Sequence, residues 1–159
     1  MKLLIMRHGE AERAAQSDML RPLTPFGNIQ TEHTAKWLLN NNIIPASGVD
    51  LALVSPYLRT RQTFNQLDQH IQFKEVEYSQ DILPSSIVTL AHDYIDTKIS
   101  MLDDPQCLMI VSHMPFVSYF IDDLCQKMIS PLFATASVAV VDYDPCSSVG
   151  ELFIHFQGN

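Results

Sequence analysis

Two histidines stand at the ends of two short apolar runs. His8 lies in Arg7-His8-Gly9, directly after Leu3-Leu4-Ile5-Met6, and His113 follows Leu108-Met109-Ile110-Val111-Ser112. Runs of this length read as buried strands, so both imidazoles sit where a strand gives way to a loop. Arg7 offers a guanidinium to hold an anion, His8 a ring nitrogen to attack it, and Gly9 a backbone that can approach closely. The anion best served by that set is a phosphoryl group.

Arg59 adds to it. It lies about one turn into Pro56–His70, a segment of helical period, and helical side chains lean back toward the helix start. Its guanidinium therefore reaches the edge where the preceding strand ends, with Thr63 on the same face. Arg61 points the other way and reads as a solvated charge. Arg21, in the loop that returns beside the first strand, completes a cradle of three arginines.

Each residue alone has a plainer reading. A histidine after a strand is usually a satisfied polar group, and a helix arginine usually makes a surface ion pair. Gly9 and Gly27 serve as backbone accommodations, Thr24 as a helix cap. Only the combination argues for chemistry. His33, His70 and His92 lie on helical segments without ligand partners at metal-binding spacing, and His155 lies on a strand with none suggested, so no metal site is expected.

The elements that must position these groups alternate. Lys2–Met6, Leu51–Val54 and Cys107–Val111 read as strands, and Gly27–Asn40, Pro56–His70, Ile82–Met101 and Pro115–Met128 as helical segments, an α/β pattern. Ala136–Tyr143 and Leu152–Phe156, joined by a turn-rich link, read as a hairpin that makes the sheet mixed at one edge. Thr24-Pro25, Ser55-Pro56 and Met114-Pro115 each place proline where a first helical residue belongs, with Thr24 and Ser55 as caps. If the three strands are parallel, Arg7-His8, Ser55 and Ser112-His113 share the carboxyl edge, where open α/β sheets bind ligands. Ala11–Leu23 is the longest irregular stretch and lies beside that edge.

Composition bounds the rest. The 159 residues are 47% hydrophobic, enough for one core, and read as one domain over 1–159. A formal net charge of −8 disfavours nucleic acid and anionic membrane as partners, so phosphate binding must be local. Cys107, Cys125 and Cys146 show no paired spacing, and the chain has no signal-like or membrane-spanning run; the expected location is cytoplasmic.

Four segments in order now form a larger pattern: Arg7-His8-Gly9, Leu23-Thr24-Pro25-Phe26-Gly27-Asn28-Ile29-Gln30, Ser55-Pro56-Tyr57-Leu58-Arg59-Thr60-Arg61-Gln62-Thr63 and Ser112-His113. Over nearly its whole length the chain resembles the histidine phosphatase superfamily. Asp18-Met19-Leu20-Arg21-Pro22-Leu23-Thr24 and the small size make it most similar to the SixA-type phosphohistidine phosphatases. The resemblance implies a phosphoglycerate mutase-like three-layer αβα sandwich with a mostly parallel sheet and minimal insertions. It implies His8 as nucleophile through Nε2, with Arg7, Arg59 and His113 as catalytic partners, Arg21, Gly9 and Thr24 as substrate-binding residues, and no cofactor.

A general acid is not evident. Asp81 lies about where the family would carry a carboxylate, without the surrounding motif, and Asp18 is a second candidate that would instead orient Arg21. A phosphohistidine substrate lessens that need, because its P–N bond releases an imidazole that solvent can protonate. Short connections imply a shallow, open site suited to a phosphohistidine standing out from another protein, such as a histidine phosphotransfer domain. The alternatives are a phosphatase of small phosphate esters and a catalytically silent phosphate-binding module.

Overall fold

The computed structural model describes residues 1–158. Its strands are β1 (Lys2–Arg7), β2 (Leu51–Val54), β3 (Val76–Tyr78), β4 (Cys107–Ser112), β5 (Val138–Asp144) and β6 (Val149–Phe156), and its helices are α1 (Pro25–Asn40), α2 (Leu58–Leu67), α3 (Val88–Ser100) and α4 (Phe116–Cys125). They form one sheet in the order β3-β2-β4-β1-β5-β6. The first four strands of that order are mutually parallel, and β5 and β6 run antiparallel as the expected hairpin.

Alternation along the strands builds the three layers. Leu3 and Ile5 of β1, with Leu108 and Ile110 of β4, pack against Ala91 and Ile95 of α3 and Phe116 and Phe120 of α4. Leu4, Met6, Met109 and Val111 face the other way, onto Ala35 and Leu38 of α1 and Phe64 and Leu67 of α2. The three parallel strands β1, β2 and β4 carry continuous apolar runs because both of their faces are covered.

Several boundaries differ from the sequence expectation. Helix α2 begins at Leu58 and is preceded by Tyr57, so Ser55 does not cap it; the Ser55 hydroxyl is instead bonded to His113. Pro115 precedes α4 as its cap residue, after a cis Met114–Pro115 bond. The segment Ile82–Met101 splits into a 3-10 turn over Gln80–Ile82 and α3 from Val88, because Pro84 intervenes. Thr24 does cap α1, its hydroxyl oxygen accepting from Gly27 N at 2.9 Å.

The exit from β1 and the first turn of α1 are in backbone contact. A Cβ on Gly27 would stand 2.1 Å from the carbonyl oxygen of Glu10, and one on Gly9 would stand 2.5 Å from that of Gly27. This packing brings the start of α1 against the residues that follow His8.

Candidate active site

β1 is paired on both sides, and that fixes the backbone of His8. Its N–H donates to Ser112 O at 3.1 Å and its carbonyl accepts from Ala136 N at 2.9 Å. The imidazole is only 7% exposed. Its Nδ1 lies 2.7 Å from Gly9 O, an atom that can only accept, so Nδ1 carries the proton and Nε2 presents a lone pair. Arg59 Nε donates to that Nε2 at 3.2 Å. Burial first, opposed by the Gly9 bond, and then the charges of Arg59, Arg7 and Arg21 push the pKa of His8 down to about 3. The ring is therefore neutral at physiological pH.

His113 lies beside it, with ring centroids 5.2 Å apart. Its Nε2 is 2.7 Å from Ser55 Oγ, while its Nδ1 is buried without a hydrogen-bond partner. Burial first, then His8 and the arginines, lower its pKa to about 2. Tyr57 closes over the ring edge to face at 4.9 Å.

The arginines converge from three elements. Arg7, at the end of β1, donates through NH1 to Phe133 O at 2.7 Å, and its Nε is buried without a partner. Arg59 is almost wholly buried and donates to the Asp18 carbonyl at 2.7 Å and to its carboxylate at 3.3 Å. Arg21 donates to Glu12 O at 2.6 Å and to the other Asp18 carboxylate oxygen at 3.0 Å. Arg21 and then Arg59 hold the Asp18 carboxyl below the usual carboxylate range. Thr63 links α2 to the loop that follows His8, since its hydroxyl oxygen accepts from Gly9 N at 3.1 Å and its hydroxyl donates to Arg59 O at 2.8 Å.

The loop before α1 is tied down, and its only regular piece is a 3-10 turn over Asp18–Leu20. Ala11 pairs with Leu23, Glu12 N donates to Pro22 O at 2.8 Å, and the side chains of Gln30 and Gln62 accept from the backbone N–H groups of Glu10 and Leu23. These contacts hold Arg21 and Asp18 at the mouth of the site.

A cavity of about 570 Å³ opens there, lined by Arg7, His8, Arg21 and Thr24 together with Glu10, Glu12, Arg13 and Thr135. The structure thus brings Arg7, His8, Gly9, Arg21, Thr24, Arg59, His113 and Asp18 to one edge. The Asp81 carboxylate, on the 3-10 turn Gln80–Ile82, accepts from Ser79 Oγ at 3.2 Å and makes no hydrogen bond to any of these residues. Arg13 and Thr135 join the site without having been singled out for it, and Ser55 joins it in a role not foreseen. Ser55 was legible as a cap and as a residue of the carboxyl edge but not as the partner of His113, and Thr135 belongs to a loop with no sequence signal. Its neighbour Ala136 is buried with φ of 58°, a left-handed conformation held by bonds from Ala136 N to His8 O and from Thr34 Oγ1 to Ala136 O. No cluster of three or more metal-ligating side chains occurs among the described residues.

A family model for the histidine phosphatase superfamily (branch 1) matches residues 3–82, the stretch that carries Arg7, His8, Arg21 and Arg59. The chain belongs to the histidine phosphatase superfamily. Within that superfamily it is 30% identical over 145 residues to phosphohistidine phosphatase SixA of Escherichia coli (strain K12), covering 91% of this chain and 86% of that one. It is 33% identical to the SixA homolog of Haemophilus influenzae, covering 98% and 94%. The solved structure of the protein histidine phosphatase SixA complexed with tungstate superposes with a TM-score of 0.90 at 29% identity, covering 99% of this chain and 97% of that one. The αβα sandwich expected of a histidine phosphatase is thus the fold of this chain. Among the described residues no helix is long and apolar enough to cross a membrane.

Proposed function

We propose that the chain is a cytosolic phosphohistidine phosphatase that hydrolyses the P–N bond of a phosphorelay protein through a phosphohistidine formed on His8. The observation that carries this reading is the state of His8: buried, neutral, with its proton fixed on Nδ1 and its Nε2 lone pair set among arginines. Nε2 attacks phosphorus, and the bond to the substrate imidazole breaks. The leaving imidazole takes a proton from solvent. Water then attacks the phosphoryl group on His8, releasing phosphate and restoring the neutral ring.

Arg7, Arg21, Arg59 and His113 hold the phosphoryl oxygens as charge redistributes. Arg7 Nε and His113 Nδ1 suit this role because they are buried side-chain nitrogens without a protein partner. For His113 to donate from Nδ1, Ser55 must donate its hydroxyl to Nε2, which makes Ser55 a positioning residue. The tungstate bound to the SixA structure, a tetrahedral oxyanion, fits the same reading. Asp18 orients Arg21 and Arg59 and is fully engaged in doing so. With Asp18 engaged by the arginines and the Asp81 carboxylate bonded to Ser79, a phosphoramidate, which releases an imidazole, suits this site better than an ester.

A second reading, a phosphatase of small phosphate esters, draws on the Glu10 and Glu12 carboxylates in the cavity, of which Glu10 accepts from Thr24 Oγ1 at 2.9 Å. The deciding experiment compares wild type, His8→Ala and Glu10→Gln on a phosphohistidine-bearing protein and on a small aryl phosphate. Loss of the protein label with wild type alone or with Glu10→Gln, absence of turnover with His8→Ala, and little ester turnover are expected. Fast ester turnover that depends on Glu10, with the protein label untouched, would replace this reading with the second.

A further inference from the structure

Cationic residues are sorted by type along this chain. All five arginines, Arg7, Arg13, Arg21, Arg59 and Arg61, fall within the first 61 residues and lie at the carboxyl edge of the sheet, Arg61 5.1 Å over the ring of Tyr78 at the end of β3. The five lysines lie away from that edge. Lys2 opens β1, Lys74 precedes β3, Lys98 and Lys127 are at or beyond the ends of α3 and α4, and Lys36 is in the later part of α1. Four of the five are paired with carboxylates at Asp142, Glu32, Asp50 and Glu77. Arg13 and Arg61, by contrast, make no ion pair among the described residues. On a chain of net charge −8, the uncompensated positive charge at this edge is confined to arginine.

Large apolar side chains are exposed beside the same mouth. Met19 and Leu20, 46% and 50% exposed, lie between Asp18 and Arg21, both of which reach the site. Phe26 and Ile29, 53% and 61% exposed, follow Thr24 and share one face of α1 at helical spacing. None of the four lines the cavity, so a small phosphoramidate bound at His8 would leave them uncovered. An apolar patch with free arginines around a phosphate site has the composition of a protein interface.

We propose that this rim is the docking surface for the substrate protein, a folded domain that presents its phosphohistidine among exposed apolar and acidic side chains. The inference rests on the phosphohistidine phosphatase reading above. The arginines favour an acidic surface, the apolar pairs give the contact its dry centre, and the acidic remainder of the chain repels that partner elsewhere.

The test compares two substrates, a histidine phosphotransfer domain phosphorylated with potassium phosphoramidate and free phosphohistidine. The variants are the double substitution Met19→Ser with Phe26→Ser, the single Arg61→Ser, and Met101→Ser, an exposed control beyond the end of α3. The rim variants should lose about tenfold or more in kcat/KM on the protein, mainly through KM, while free phosphohistidine turnover stays within about twofold. Added salt should slow the wild type on the protein more than it slows Arg61→Ser. Met101→Ser should match wild type on both substrates. Equal loss on both substrates, no loss on the protein, or a wild type with no preference for the protein would each overturn the docking surface. A wild type inert toward both substrates would instead fail at the level of the proposed function.

Discussion

Acidification from pH 7 to pH 5 should cost this protein about 4 kcal/mol of folding stability through His8 and His113 alone. Both rings are buried, and their folded pKa values of about 3 and about 2 lie far below the ordinary value of 6.5. Below pH 6.5 the unfolded chain therefore binds protons that the folded chain refuses, and stability falls as pH falls. At pH 5 each ring sits about 1.5 units below its unfolded pKa, which amounts to about 2 kcal/mol per histidine. The half-buried His155, also depressed by burial, adds to the loss in the same direction. Carboxylates do not confuse this window. Asp18, Asp50 and Asp122 are held below 3.8, so the stability they contribute is lost only as the pH falls through about 4 and below. Urea denaturation at half-unit steps between pH 7 and pH 5 measures the slope directly. His8→Gln, which removes one of the two titrating rings, should reduce the His8 and His113 loss by about half. A stability flat from pH 7 to pH 5 would mean that these rings take up protons in the folded state, and the neutral nucleophile would be refuted with them.

Further outcomes follow from the same geometry. Ser55→Ala strips His113 Nε2 of its partner inside the core, and should lower stability by about 1–3 kcal/mol in urea titration while reducing kcat through loss of the required tautomer. Arg59→Ala should cost about 2–4 kcal/mol of transition-state stabilisation in kcat/KM on a phosphohistidine substrate, since the guanidinium touches Nε2 itself. Gly27→Ala forces a methyl group against the Glu10 carbonyl, and should lower both the thermal midpoint and activity by displacing the loop that follows His8. Asp18→Asn should leave Arg59 and Arg21 less firmly placed and reduce kcat/KM about tenfold, with a smaller effect on thermal stability because the carboxylate is exposed.

The sequence made the parallel centre of the sheet legible because β1, β2 and β4 are buried on both faces and so appear as unbroken apolar runs. β3 escaped notice: it is a three-residue edge strand, Val76-Glu77-Tyr78, with two of its residues exposed, and carries no such run. Arg59 was placed correctly because one turn of helix fixes a direction, even though α2 starts two residues later than Pro56 suggests. The role of Asp81 was not legible, because a position along the chain does not say which way a 3-10 turn faces; its carboxylate accepts from Ser79 Oγ. His92 drew notice in the sequence only for its lack of metal-binding spacing, yet it is buried, with Nδ1 2.6 Å from the Asp123 carboxylate and Nε2 2.7 Å from the Tyr143 hydroxyl. Those partners come from α4 and β5, contacts that exist only once the layers are assembled. Ser55 illustrates the same point at the site, since nothing local distinguishes a helix cap from a hydroxyl that supports a histidine 58 residues away.

The double-sided pairing of β1 also divides the site by how readily its parts would open. His8 sits where backbone bonds run both to β4 and to the segment entering β5, so its amide should exchange hydrogen on the slow timescale of the sheet centre. Asp18 and Arg21 belong to a surface loop held by one isolated bridge, a few local backbone bonds and a few side-chain bonds, where exchange should be faster. Cleavage within residues 13–17 by a protease would then release Asp18 and Arg21 from the proposed phosphate clamp while leaving His8 folded, and activity should be lost long before the sheet.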